Sequence, residues 1–285
     1  MSFSNPARSF YAIAASVWND ESNRDERLRR ALMAAGWQGW KRVVRTPLKV
    51  TLFNGVRFKA YPDCSCSSAA YYFRLPNLRQ IDLLRQEARR GTLVDVGANV
   101  GLVSMLLADA FEYGLLFEPN PLAAARAREN IQLNNLRFEV HEVALSDRIG
   151  NVKFEDRGGV HTCNRTVRDF ATDSRTITVP SSTLDQFLAQ RPVLEKPITV
   201  VKIDVEGHEN AVLRGMGNLL RSQRPTVMFE YLQRTNLQET LKIFAAVDYS
   251  VLSFSGNGRM VSVTLHTPPL QDLIAVPCER TSSLQ

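Results

Sequence analysis

The residues best suited to chemistry fall into two clusters. The first is Asp95-Val96-Gly97-Ala98-Asn99-Val100-Gly101, with Glu118 beyond it. Two glycines around a strand-to-helix junction permit a tight turn and a close approach of backbone to ligand. Such a turn serves several nucleotides and does not choose among them. Two details narrow the choice. The spacing is G-x-x-x-G, without the G-x-G-x-x-G register that seats a pyrophosphate against a helix start. An acid also precedes the first glycine by two residues, where it would repel a pyrophosphate and attract a cationic amino-acid moiety. Glu118 closes the next strand, and an acid there can accept both hydroxyls of a ribose.

The second cluster holds Lys202, Asp204, Glu206, His208 and Glu209, with Glu230 ending the run Thr226-Val227-Met228-Phe229. These are proton-handling groups. His208 is the first choice as general base, because its ordinary pKa lies nearest neutrality. Asp204 and Glu230 are placed to orient a hydroxyl, or to carry a divalent cation with His208. Such an oxygen-rich set favours magnesium, calcium or manganese. The same three side chains equally describe an acceptor pocket, so a metal is possible but not expected. Glu206-Gly207 reads as shaping the turn into the next helix, and Lys202 as a salt-bridge partner deeper in the strand. His141 and His161 read as structural or surface residues.

The elements that must position these groups alternate in a strand-helix rhythm. Leu93–Val96, Gly114–Glu118 and Phe138–Ala144 read as strands, separated by helices at Val100–Phe111 and Pro121–Leu133. A helix at Leu184–Ala189, a strand at Ile198–Asp204, a helix over 208–220, a strand over 226–231 and a helix over 236–247 follow. Strands near 249–254 and 260–265 complete the pattern. This grammar implies a parallel sheet with right-handed crossovers and helices on both faces. Ligands of such sheets bind beyond the carboxyl ends of the strands, where Asp95, Glu118 and Asp204 sit. Asn151–Glu155 and Arg175–Val179 read as strands of a hairpin-like insertion over 149–181. Upstream, residues 22–45 show helical spacing interrupted at Gly36 and Gly39. Two alternating runs around Asn54-Gly55 form a hairpin signal, and 76–90 reads as a helix.

Four segments in order now carry a resemblance. D-V-G-A-N-x-G at 95–101, F-E-P-N-P at 117–121, A-L-S-D at 144–147 and K-I-D-V-E-G-H-E at 202–209 resemble the FkbM family of class I methyltransferases that use S-adenosylmethionine (SAM). The match runs over roughly residues 90–250. It implies an α/β, Rossmann-like doubly wound sheet of about seven strands. It also implies SAM as cofactor. Asp95, Gly97, Ala98, Asn99 and Gly101 would surround the methionine part. Glu118 would hold the ribose, with Pro119 and Asn120 shaping the adenosine side. Ala144, Leu145 and Ser146 would border the adenine, and Asp204 would face the methyl group and the acceptor. By analogy the reaction is O-methylation of a hydroxyl on a sugar, glycoconjugate or related small metabolite. Competing readings are a nucleic-acid-modifying methyltransferase, a SAM-binding protein without turnover and a nicotinamide dehydrogenase. DNA amino-methyltransferases show an (Asp/Asn)-Pro-Pro-aromatic run where this chain has Asp204-Val205-Glu206-Gly207, and an acidic stretch suits polyanions poorly.

Composition bounds the rest. At 285 residues, 44% hydrophobic and 22% charged, the chain is ordinary globular material. The expected division is a helical and hairpin extension over 1–90, a catalytic domain over 91–270 and a tail over 271–285. No apolar run reaches the roughly 20 residues of a membrane span. The start lacks a secretory pattern, so the cytoplasm is the expected address. Cys64, Cys66, Cys163 and Cys278 are few and scattered, and read as small buried or solvated thiols. Residues 1–90 hold 16 Lys/Arg against 7 Asp/Glu. That excess could meet an anionic partner or merely solvate a helix face. The acceptor and the oligomeric state are not readable.

Overall fold

Short apolar runs bounded by turns build the centre of the molecule, and the first of them, Thr92–Val96, is buried at every position. A computed structural model describes residues 6–75, 78–155, 176–191, 194–231, 236–256, 258–266 and 272–283. The chain opens with α1 (Pro6–Asn19), α2 (Arg27–Val43), β1 (Leu48–Thr51), β2 (Arg57–Ala60), α3 (Ser65–Tyr72) and α4 (Leu78–Glu87). The alternating part follows as β3 (Thr92–Val96), α5 (Leu102–Leu107), β4 (Tyr113–Phe117), α6 (Pro121–Leu133) and β5 (Phe138–His141). Next come β6 (Ala144–Leu145), β7 (Gly150–Glu155), β8 (Thr176–Ser182), α7 (Leu184–Ala189) and β9 (Ile198–Ile203). The chain continues through α8 (Glu209–Arg214), α9 (Gly217–Ser222), β10 (Thr226–Glu230), α10 (Leu237–Ala245), β11 (Tyr249–Phe254), β12 (Met260–Ser262) and β13 (Asp272–Pro277).

Among the described residues the main sheet has eight strands in the order β12-β11-β13-β10-β9-β3-β4-β5. The run from β10 to β5 is parallel throughout. Strand β13 lies antiparallel between β10 and β11. The doubly wound α/β expectation therefore holds, with one correction. The expected tail contains β13, whose Leu273, Ile274, Ala275 and Val276 are almost wholly buried. A short apolar run near the end of a chain carries little periodicity, and only burial on both faces marks it as a sheet strand.

Strand alternation divides the core between the two faces of the sheet. Leu93, Val100, Met105, Phe138 and Val200 pack with Trp37, Phe58, Ile81 and Leu84, so the N-terminal segment shares one continuous core with the sheet. Val94, Phe117, Val201, Ile203, Leu220 and Phe229 fill the opposite face. Trp37 stacks on Tyr71 at 4.3 Å between centroids and donates from Nε1 to Ser68 Oγ at 3.0 Å. Two asparagines, Asn130 on α6 and Asn134 at its C-cap, secure the hairpin: Asn130 Oδ1 accepts from Lys59 N at 2.7 Å and Asn134 Oδ1 from Arg57 N at 2.8 Å.

Several boundaries differ from the sequence reading for local reasons. Helix α2 runs unbroken through Gly36 and Gly39, because tertiary contacts of Trp37 and Ala34 outweigh two poor helix formers. The strand expected over Phe138–Ala144 splits at Glu142, and Ala144-Leu145 joins β8 and β7 in a separate three-stranded sheet. The helix expected over 208–220 divides at Gly215, where a Cβ would lie 2.0 Å from the Ser146 carbonyl oxygen. The hairpin-like insertion forms as β7 and β8, and the residues between them, 156–175 with His161 and Cys163, lie outside those described.

Candidate active site

Crossovers from β3 run outward through β4 and β5, whereas β9 and β10 lie on its other side. That reversal opens a crevice beyond the ends of β3 and β9. The turn leaving β3 has positive φ at Gly97 (+74°), Asn99 (+51°) and Gly101 (+80°). Glycine is required at 97 twice over, since a Cβ there would lie 1.9 Å from the Asp204 carbonyl oxygen. Gly97 N and Ala98 N donate to Phe117 O at 2.9 and 3.2 Å, which binds the turn to the exit of β4.

Asp95 lies beneath this turn rather than along it. Its side chain is fully buried, with Oδ2 accepting from Ser104 Oγ at 2.6 Å and Oδ1 3.1 Å from Lys202 Nζ. Lys202 Nζ also donates to Gly97 O at 2.9 Å and lies 3.7 Å from Asp204 Oδ2. The cation that Asp95 attracts is thus Lys202, which corrects the reading of Asp95 as a direct ligand contact. Its position inside a buried strand is the reason. Burial alone would pull the Lys202 ammonium down, but Asp95 and Asp204 outweigh it and hold the group above the usual lysine range.

Glu118 stands at the exit of β4, 6% exposed. Asn99 N donates to its Oε2 at 2.8 Å and Asn120 N to its Oε1 at 2.9 Å. Burial pushes this carboxyl up to about 7, against the pull of those two backbone donors. Pro119 is half-buried beside it, and Asn120 caps α6 by accepting from Leu122 N and Ala123 N. The backbone therefore fixes the orientation of Glu118 before any ligand arrives.

On the far side of the crevice, Ala144 and Leu145 are buried in β6, and Ser146 N donates to Ser182 O at 2.9 Å. Ser146 Oγ lies 3.0 Å from His208 Nε2. His208 thus meets the segment expected to border the adenine. It is not a member of the acid group that forms at the exits of β9 and β10. That group joins Asp204, Glu206 and Glu230, each of which offers one carboxylate oxygen within 4.8 Å of the other two. The expected trio of Asp204, Glu230 and His208 is corrected accordingly. Glu206 takes the imidazole's place because the loop turns there: its φ is +54°, Gly207 follows at +100°, and Glu209 Oε1 accepts from Gly207 N at 2.9 Å. Sequence reading assigned Glu206 to shaping the turn. The acid-glycine pair was the available signal that its side chain leaves the strand's alternation.

Burial, then Asp204, Glu206, Glu209 and Asp272, pushes the Glu230 carboxyl up to about 8. Asp272 sits opposite Glu230 in the ladder between β10 and β13, and burial followed by Asp204 raises it to about 6. Asp272 belongs to the segment read as a tail and was missed with it. Cys64 was also missed. It precedes α3, is 1% exposed, and its Sγ lies 3.6 Å from Asn99 Oδ1. A hydrogen bond from Cys66 pulls its thiol down to about 7, and the same bond with burial pushes Cys66 up.

This donor set suits a cationic nucleoside. Glu118 presents a carboxyl fixed by two backbone donors at the exit of β4, acids ring the exit of β9, and the buried Lys202 is committed to Asp95 and Gly97 rather than offered to a phosphate. The three clustered carboxylates match only a hard, oxygen-loving cation, with neither thiolate nor imidazole among them.

The family model described as the methyltransferase FkbM domain matches residues 95–251. The chain belongs to the FkbM methyltransferase family. It is 34% identical over 143 residues to the hexuronic acid methyltransferase AglP of Haloferax volcanii, covering 50% of this chain and 57% of that one. It is 23% identical over 150 residues to methyltransferase 1 of Beauveria bassiana, covering 44% and 57%. The chain thus matches a little over half the length of these curated relatives. Among solved structures, the FkbM methyltransferase of Methylobacillus flagellatus aligns at TM-score 0.44 and 12% identity over 87% of this chain and 60% of that one. An O-methyltransferase of Bacillus cereus aligns at 0.46 and 13%, over 95% and 99%.

Proposed function

We propose that the chain transfers the methyl group of SAM to a neutral hydroxyl of a sugar or glycoconjugate. The observation that carries this reading is the meeting of the Gly97–Gly101 turn and Glu118 with the acid group Asp204, Glu206 and Glu230 at one crevice. Bound there, SAM supplies an electrophilic methyl on a cationic sulfonium with a neutral leaving group. The protein's own share is alignment, exclusion of water and handling of one proton.

Glu118 accepts the ribose hydroxyls in a direction set by Asn99 N and Asn120 N. The turn, braced from below by Lys202, receives the amino-acid end. Asp204 accepts the hydroxyl of the sugar and orients its oxygen. Held there, SAM would supply the methyl carbon and keep the carbon–sulfur electron pair on sulfur, and Glu230 would take the hydroxyl proton. His208 holds Ser146 at the adenine border, a positioning part in place of the base first expected. A carboxylate acceptor would meet three acids and be repelled, whereas a neutral hydroxyl meets proton acceptors. The hexuronic acid named for the Haloferax relative supports a sugar, and the acid group favours a hydroxyl over a carboxylate.

The test is labelled SAM with paired neutral glycosides and uronic acids, read as base-stable ether against base-labile ester. Label in an ether is expected. Absence of SAM binding by calorimetry would overturn the proposal, and label confined to ester would overturn the hydroxyl.

A further inference from the structure

The outward face of α2 breaks the usual pattern of a surface helix. Its inner face buries Arg30, Ala34 and Trp37. The opposite face, which should be polar, presents Leu28, Leu32, Ala35, Gly36, Gly39 and Val43, all exposed. Leu28 is 67% exposed, Leu32 65% and Val43 82%. At about 1.5 Å per residue this stripe runs roughly 22 Å along the helix. A helix apolar on both faces is normally covered on both.

Charge identifies the cover. From Arg27 to Pro62 the sequence carries nine Lys/Arg and no Asp or Glu. Arg29 and Arg42 flank the stripe and are exposed, with Arg45 just past its end. Arg29 pairs with Glu26 at 2.9 Å, and Arg42 donates to the neutral Gln38 carbonyl at 2.8 Å. A second copy is a poor cover. Antiparallel packing on this stripe sets Arg29 of one copy against Arg42 of the other, and parallel packing sets each against itself. An apolar strip edged by arginines suits an anionic lipid surface, where side chains enter the acyl boundary and cations meet headgroups.

We propose that the outer face of α2 docks the protein on anionic membranes through Leu28, Leu32 and Val43, with Arg29 and Arg42 at the headgroups. This does not depend on the methyl-transfer reading.

The experiment is flotation of the full chain with phosphatidylcholine vesicles, with and without phosphatidylglycerol. The variants are Leu28→Gln with Leu32→Gln, and Arg29→Gln with Arg42→Gln, each checked by thermal melt. Binding is expected to the anionic vesicles, weaker in high salt, and reduced about tenfold or more by either pair. Absence of wild-type binding to anionic vesicles overturns the proposal. So does binding equal on neutral vesicles and indifferent to salt, a readout that needs no variant. A dimer in light scattering that Leu28→Gln with Leu32→Gln makes monomeric overturns it in favour of a second copy.

Discussion

Lys202 Nζ and Asp95 Oδ1 stand 3.1 Å apart inside the sheet, and the same ammonium holds the Gly97 carbonyl at 2.9 Å. One buried ion pair thus ties β9 to β3 and braces the glycine turn from below. Lys202→Met removes the cation and leaves the Asp95 charge without its partner. Breaking a buried pair from one side costs about 3–5 kcal/mol, chiefly through the stranded charge. We expect a loss of that size in urea unfolding. Asp95→Asn added to Lys202→Met should recover part of it, and a double variant no more stable than Lys202→Met would count against the pair as the cause.

Glu118 offers a separate handle on the cofactor. Its carboxylate is fixed by Asn99 N and Asn120 N, so it is ready to accept from a ligand without reordering. Glu118→Gln keeps the shape but removes the charge and one acceptor. Hydrogen bonds to charged groups contribute roughly 1.5–3 kcal/mol, so SAM affinity should fall about tenfold to a hundredfold. Calorimetry checks this, and kcat at saturating SAM should change far less. A change in kcat alone would remove Glu118 from the ribose position.

The parallel strands and the glycine turn were legible because each is local: a run of four or five apolar residues, then an acid and glycines at a fixed offset. What stayed hidden depends on chain ends meeting in space. Asp272 reaches Glu230 only because β13 inserts between β10 and β11, and no pattern near residue 272 states that neighbour. Cys64 meets Asn99 through the packing of the N-terminal segment on the sheet, a contact between residues 35 apart. Glu206 shapes the turn as its acid-glycine pair indicated, but its entry into the acid group was hidden for a different reason. Its role turns on a positive φ, which an acid followed by glycine permits but does not announce.

Two glycines predict opposite signs. Gly97→Ala places a Cβ 1.9 Å from the Asp204 carbonyl at φ +74°, so the turn must open or the strands must part. SAM binding should fail and the melting temperature should drop. Gly36→Ala meets nothing within 4 Å on an exposed helix face. Replacing glycine in a helix interior stabilises by about 0.5–1 kcal/mol. That variant should melt a few degrees higher, and a neutral or lower melt would contradict the unbroken course of α2 through Gly36.

Proton linkage gives a last test, and its sign is fixed by the raised carboxyls. Glu230 is raised from an ordinary 4.5 to about 8, and Glu118 from 4.5 to about 7. Between 4.5 and these values the folded chain holds protons that the unfolded chain has released, so stability falls as pH rises across that window. Unliganded protein should therefore melt lower at pH 8 than at pH 6. Glu230→Gln should flatten the upper part of the slope. A proton acceptor at about 8 also makes methyl transfer climb with pH through the same region, since only the ionised carboxylate takes the hydroxyl proton. In Glu230→Gln the climb should vanish while SAM affinity stays within about threefold, as the acceptor-side role proposed for the acid requires. A variant that loses activity yet keeps the wild-type pH profile would show that another group takes the proton.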